Sequence, residues 1–202
     1  LANDSVTLTG GTGNFVTKNV GNNIVVTLTG ATLTGNDATN YNLTSVANAT
    51  ANITSLSITG NFTASDKVYD GNTTATVSNR TLSGVLGNDS VSLTGGTGNF
   101  ATKNVGNNIV VTLTGATLAG NDALNYSLSS VSNTTANITA KHVTGNFTAS
   151  NKVYDATTAA TVSNRTVSGA IANDSVSLTG GTGNFTTKNV GNRSEEHTSE
   201  LQ

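Results

Sequence analysis

Apolar and polar residues alternate with period two along most of this chain. Val91 and Leu93 alternate with Ser90, Ser92 and Thr94. Ile109, Val111 and Leu113 share one face, with Val110, Thr112 and Thr114 on the other. Ala75 and Val77 alternate with Thr74 and Thr76, and Ala136 and Ile138 with Thr135 and Asn137. Successive side chains of a strand point to opposite faces, so each run offers one face to a core and one to water. The pattern predicts strands near 90–94, 109–114 and 135–138. Clusters at Asp70-Gly71-Asn72, Gly95-Gly96-Thr97-Gly98-Asn99, Gly106-Asn107-Asn108 and Gly120-Asn121-Asp122 predict turns, because Gly and Asn tolerate positive φ. Helix is disfavoured: residues 56–140 contain no Glu, Gln or Met and are dense in Thr, Val, Asn and Gly, which are poor in helix interiors. Short strands separated by turns predict an all-β fold, a small sandwich or a grasp-like domain.

The pattern recurs. Phe15, Phe100 and Phe185 stand 85 residues apart, as do Tyr41 and Tyr126, and Tyr69 and Tyr154. The segment from Asn3 to Phe15 returns at Asn88 to Phe100 and at Asn173 to Phe185. The expected organisation is a partial repeat over 1–55 (its back part), a complete repeat over 56–140 and a partial repeat over 141–192 (its front part). A unit of this length is large enough for its own core. The rival architecture is a parallel β-helix, whose coils are much shorter than 85 residues. Residues 193–202, Arg193-Ser194-Glu195-Glu196-His197-Thr198-Ser199-Glu200-Leu201-Gln202, break the pattern and hold every Glu and the only Gln of the chain. They resemble the translation of a short-read sequencing adapter. They are set aside as a non-native tail.

Outside that tail, eight Asp balance six Lys and two Arg. Such neutrality predicts no nucleic-acid partner and no polybasic membrane contact. No apolar run has the length of a membrane span. Absence of Cys excludes disulfides and thiolate metal sites.

At Lys67-Val68-Tyr69-Asp70-Gly71 and Lys152-Val153-Tyr154-Asp155 the sequence resembles the YDG-type repeat domain of bacterial adhesins related to filamentous haemagglutinin. Supporting pieces are Leu82-Ser83-Gly84-Val85, Asp89-Ser90-Val91-Ser92-Leu93, Lys103-Asn104-Val105-Gly106, Val111-Thr112-Leu113-Thr114-Gly115 and Asn125-Tyr126-Ser127-Leu128. Ala156 stands where the earlier copy has Gly71, so the turn after Asp155 is expected to differ. The resemblance implies an extracellular, largely β repeat in long surface proteins, with no catalytic residues to carry over.

Candidate chemistry is sparse. His142 is the single His before the tail, and the position one repeat earlier is Ser57, so no repeated active site can use it. Asp89 with Asp4 and Asp174, and Asp122 with Asp37, lack the alternating acidic spacing of a calcium loop and fit turn or cap chemistry. Gly95-Gly96-Thr97-Gly98 lacks the Lys-Ser/Thr of a phosphate loop and fits a hairpin turn or bulge. Tyr69 and Tyr126 fit core positions better than a sugar platform. Asn61, Asn72, Asn79, Asn133 and Asn137 head Asn-x-Ser/Thr triplets, which matter only where a glycosylating system exists. The pairs Thr7/Thr9, Thr27/Thr29 and Thr112/Thr114 fit outward strand positions rather than an ice-binding array. The expectation is therefore no catalytic, cofactor or metal residues, and no enzyme. The expected function is a spacer in the stalk of a surface adhesin, with neighbouring repeats as partners. The alternative is a repeated module for host glycan or protein.

Overall fold

The computed structural model describes residues 3–191, so positions 192–202, with the tail expectation, lie outside it. The first partial repeat forms β1 (Thr7–Phe15), β2 (Gly21–Thr34) and β3 (Ala49–Ile53), hydrogen-bonded in that order into one antiparallel sheet. The complete repeat forms β4 (Leu56–Ala64), β5 (Lys67–Val68), β6 (Thr74–Ala75), β7 (Val77–Ser83), β8 (Ser92–Phe100), β9 (Gly106–Ala119), β10 (Tyr126–Val131) and β11 (Thr134–Thr139). The third partial repeat forms β12 (Thr144–Ala149), β13 (Ala159–Ala160), β14 (Val162–Ser168) and β15 (Gly183–Asn184). Its pairs are β12–β14 and β13–β15.

Two sheets of the complete repeat, β10-β4-β7 and β5-β11-β9-β8-β6, draw every strand from residues 56–139. The chain passes from the second to the first at Thr76, between β6 and β7, a corner of the kind that joins sandwich sheets. Inner faces meet closely: a Cβ on Gly60 of β4 would come within 2.9 Å of Leu93 Cδ2 on β8. The pairs β4–β7, β6–β8, β8–β9, β12–β14 and β13–β15 are antiparallel, whereas β10 runs parallel to β4, with a bulge between Leu128 and Ser130. The fold is all-β and sandwich-like, not a parallel β-helix.

Contacts group the chain into two compact units. One comprises Leu1–Lys67, Thr73–Thr102 and Gly106–Asn137; the other comprises Val68–Asn72, Lys103–Val105 and Ile138–Gln202. Ile58, Phe62, Ala75, Leu93, Phe100, Val111, Leu113, Tyr126 and Ala136 are the buried apolar residues of the first, and Ile138 that of the second. Ala75, Leu93, Val111, Leu113, Ala136 and Ile138 are inward positions of the period-two runs, and all of the buried residues lie in the complete repeat. Phe100 is 3% exposed, whereas Phe15 and Phe185 are 43% and 38% exposed. The aromatic anchor is covered only where both halves of a repeat are present.

Two expected turns are strand instead. Gly95–Asn99 lies inside β8 and Gly106–Asn108 opens β9. The β8–β9 register runs unbroken from Ser92↔Ala119 to Phe100↔Val111, which sets Gly96 opposite Gly115. Both take left-handed φ, +79° and +74°. A Cβ on Gly96 would lie 3.0 Å from both Ala116 N and Thr114 O, so a larger residue would meet backbone that cannot yield. The glycines make a kink that preserves register, neither a turn nor an inserted bulge residue. Gly11 and Gly30 repeat it in the first copy, at +87° and +74°.

Candidate functional site

A polar constellation lies where the first copy meets the second, within one compact unit. It starts from the loop at the tip of the β1–β2 hairpin. Thr17 Oγ1 accepts the Asn19 N–H at 3.1 Å, a local turn that shapes the loop around Lys18. Lys18 Nζ donates to Asp89 Oδ1 at 3.0 Å and lies 3.8 Å from Asp122 Oδ1. Val20 N–H donates to Asn125 Oδ1 at 2.9 Å, and Asn125 Nδ2 donates to Asn19 Oδ1 at 3.3 Å. A cleft of about 330 Å³ adjoins these contacts, lined by Lys18, Val20, Ile53, Leu56, Leu86 and Tyr126 among others.

The receiving side is built within its own repeat. Tyr126 Oη donates to Asp89 Oδ2 at 2.7 Å and accepts the Leu86 N–H at 3.0 Å. Asp122 Oδ2 accepts the Ser90 N–H at 2.8 Å. The first copy repeats this frame: Tyr41 Oη donates to Asp4 Oδ2, and Asp37 Oδ2 accepts the Ser5 N–H at 2.9 Å. Both repeats place it at the base of the long hairpin, the end away from the lysine loop.

Charge is balanced in place. The Tyr126 hydroxyl, then Lys18, hold the Asp89 carboxyl below the usual carboxylate range. The bond to Asp89 pushes the Lys18 ammonium up. Burial, above all, pushes the Tyr126 phenol up. Lys18 Nζ and Asp89 Oδ1 stand 3.0 Å apart as an ion pair. Lys18 is 71% exposed, so water and salt screen that pair and its own strength is small. The asparagine and tyrosine hydrogen bonds give the contact its geometry.

The Lys-Val-Tyr-Asp-Gly step divides its labour. Lys67 Nζ donates to Thr74 O at 3.1 Å and sits 5.5 Å from the centroid of the Phe100 ring. Asp70 Oδ1 accepts the Asn72 N–H at 3.1 Å across the turn. Tyr69 N–H donates to Thr139 O at 2.9 Å, while its hydroxyl donates to Asp174 Oδ1 at 3.2 Å. In the third copy Lys152 bonds Asp155 at 2.7 Å and lies 5.7 Å from the Phe185 ring centroid. That bond, with two from Thr157, brings the Asp155 carboxyl down to about 2. Contrary to expectation, the turn there keeps its shape: Ala156 takes φ +65° where Gly71 takes +82°.

The other singled-out residues fall into structural places. His142 lies exposed on the stretch before β12. Among the described residues no three His, Cys, Asp or Glu gather as a metal site. Tyr126 is core with a bonded hydroxyl, and Tyr69 is half-buried with one. Asn72, Asn79 and Asn133 are exposed. Asn61 donates to Ser83 Oγ at 3.1 Å. Asn137 is committed: its N–H and Nδ2 donate to Asp66 at 2.7 and 3.0 Å, and its Oδ1 accepts the Asn108 N–H at 2.8 Å. Thr7 bonds Thr34 across the hairpin, Thr27 and Thr29 reach Asn14 O and Thr12 O, and Thr114 reaches Thr97 O. No helix among the described residues is long and apolar enough to cross a membrane, which says nothing of β-barrels. Lys18, Asn19 and Asn125 escaped the sequence reading as site residues. The usable signal was their recurrence: Lys-Asn-Val returns at Lys18, Lys103 and Lys188, and Asn-Tyr at Asn40 and Asn125.

A family model described as the YDG domain matches the chain three times in tandem, over residues 1–53, 49–136 and 134–201. The middle match starts seven residues before the expected boundary at 56, and the last runs into the tail. No curated protein and no solved structure matches.

Proposed function

Because the chain belongs to the YDG domain family, we propose that it is a run of non-catalytic spacer repeats in the stalk of a bacterial surface adhesin, displayed outside the cell. The observation that carries this is the junction. The main polar cluster of the repeat, Asp89, Asp122, Asn125 and Tyr126, is occupied by the loop of the preceding copy. A repeat whose polar groups serve its neighbour suits a chain that keeps distance between its ends. The complete repeat contains no Cys or Glu, and its acidic groups hold backbone or side-chain donors. That supports a role without catalysis. We also propose that 193–202 are not native; a genomic reading frame continuing after Asn192 as Asn107 continues into Asn108 would establish it.

Chains with one, two and four complete repeats should bind host cells and immobilised glycans equally poorly. Binding that saturates and strengthens steeply with copy number would favour the glycan- or protein-binding alternative, because linked sites gain avidity.

A further inference from the structure

We infer that the tyrosine of the Tyr-Asp-Gly step is a joint residue, whose hydroxyl serves the next repeat rather than its own. Tyr69 belongs to the complete repeat by sequence, yet its hydroxyl donates to Asp174 of the third, 105 positions away. Asp174 is the counterpart, 85 positions on, of Asp89. Asp89 in turn receives Lys18 from the copy before it. Asp89 and Asp174 are thus each an acceptor for the preceding repeat, the first addressed by its loop lysine and the second by its tyrosine. The grouping of contacts agrees. Val68–Asn72 and Lys103–Val105, the segments bearing Tyr69 and the counterpart of Lys18, cluster with Ile138 and beyond rather than with the rest of their repeat.

Lys103 makes no ion pair with Asp174 among the described residues, so at this joint the tyrosine is the side chain that addresses the aspartate. Tyr154 stands 57% exposed, while Tyr69 is half-buried. A tyrosine is suited to the task because its ring packs while its hydroxyl reaches a fixed distance with few torsions to order. The inference holds whether the repeats are spacers or binding modules.

The chain has no Cys, so pairs of introduced cysteines carry spin labels without background. In the full chain, labels at the exposed Arg80 and Thr166 report on the second joint, and labels at Arg80 and Thr117 report inside the complete repeat. Tyr69→Phe should broaden the Arg80–Thr166 distance distribution and leave Arg80–Thr117 unchanged. Asp174→Asn should broaden it similarly, and the double variant no further, since both remove one contact. Across the first joint, Asn125→Ala, which removes the bonds to Val20 and Asn19, should broaden a Thr9–Thr117 distribution in the same way. An unchanged Arg80–Thr166 width in Tyr69→Phe would overturn the inference. So would equal broadening of both pairs, which would make Tyr69 a core residue of its own repeat, and so would additive effects of Tyr69→Phe and Asp174→Asn.

Discussion

Asn108 shows how this composition works at the scale of one residue. It takes φ +51° inside β9, and its N–H is held by the Oδ1 of Asn137. Asn23 repeats this at +55° with Asn52. A left-handed kink in a strand favours Asn, which visits that region more readily than other non-glycine residues. The same rule sets a test at the turn after the aspartate of the family motif. Ala156 sits at +65° where Gly71 sits at +82°. Gly71→Ala should destabilise by about 1 kcal/mol, and Ala156→Gly should stabilise its own segment by about the same amount. Chemical denaturation followed by segment-resolved amide exchange reads both. Acid acts at this scale too. Asp66, Asp89 and Asp155 are held below the usual carboxylate range by Asn137, by Tyr126 and by Lys152 respectively, the last down to about 2. A depressed folded-state value means stability that is present above the unfolded value, near 4, and lost as pH falls through the folded one. Stability should therefore hold level from about pH 8 to pH 5 and fall between about pH 4 and pH 2. A thermal midpoint that is unchanged down to pH 2 would contradict these contacts.

Among the elements, the long β8–β9 hairpin organises the repeat. Its tip bears the loop that reaches forward and its base bears Asp89, Asp122 and Tyr126. Between them it places Leu93, Phe100, Val111 and Leu113 inward. Phe100→Ala should cost about 3–5 kcal/mol, because it removes a buried ring capped by Lys67. Phe185→Ala, at a 38% exposed ring, should cost far less. A similar loss at both sites in segment-resolved exchange would mean that the core is misplaced. Inward positions were legible in the sequence because alternation is local: Leu93, Val111, Leu113, Ala75, Ala136 and Ile138 all turned inward as their runs required. The Gly-Gly-Thr-Gly stretch was not, since Gly suits a turn and a strand kink equally. What decides between them is Gly115 opposite Gly96, a pairing visible only once the register is known. The strand β4 was missed as well, because Gly60 and Asn61 interrupt its apolar positions. Gly60 is there because Leu93 of the other sheet comes too close for a side chain. The junction was least legible. In the sequence its aspartates fit turn or cap chemistry, yet Asp122 makes no cap bond and its carboxylate accepts the Ser90 N–H across the hairpin base. Lys18 and Asn125 acquire meaning only against another copy.

At the scale of the whole molecule, the proposed stalk role requires that successive repeats be joined by specific side chains, so that copy number sets length. Flexibly linked domains would instead extend as a random chain, with end-to-end distance growing as roughly the square root of the number of links. Small-angle scattering from chains of two, four and eight repeats separates the two. Repeats joined through the lysine loop and the aspartate should add a constant increment to the maximum dimension with each copy. Asn125→Ala with its counterpart changes in every copy should bend that line toward the square-root form. A native series that already follows the square-root form, or a compact series whose dimension barely grows, would contradict the account.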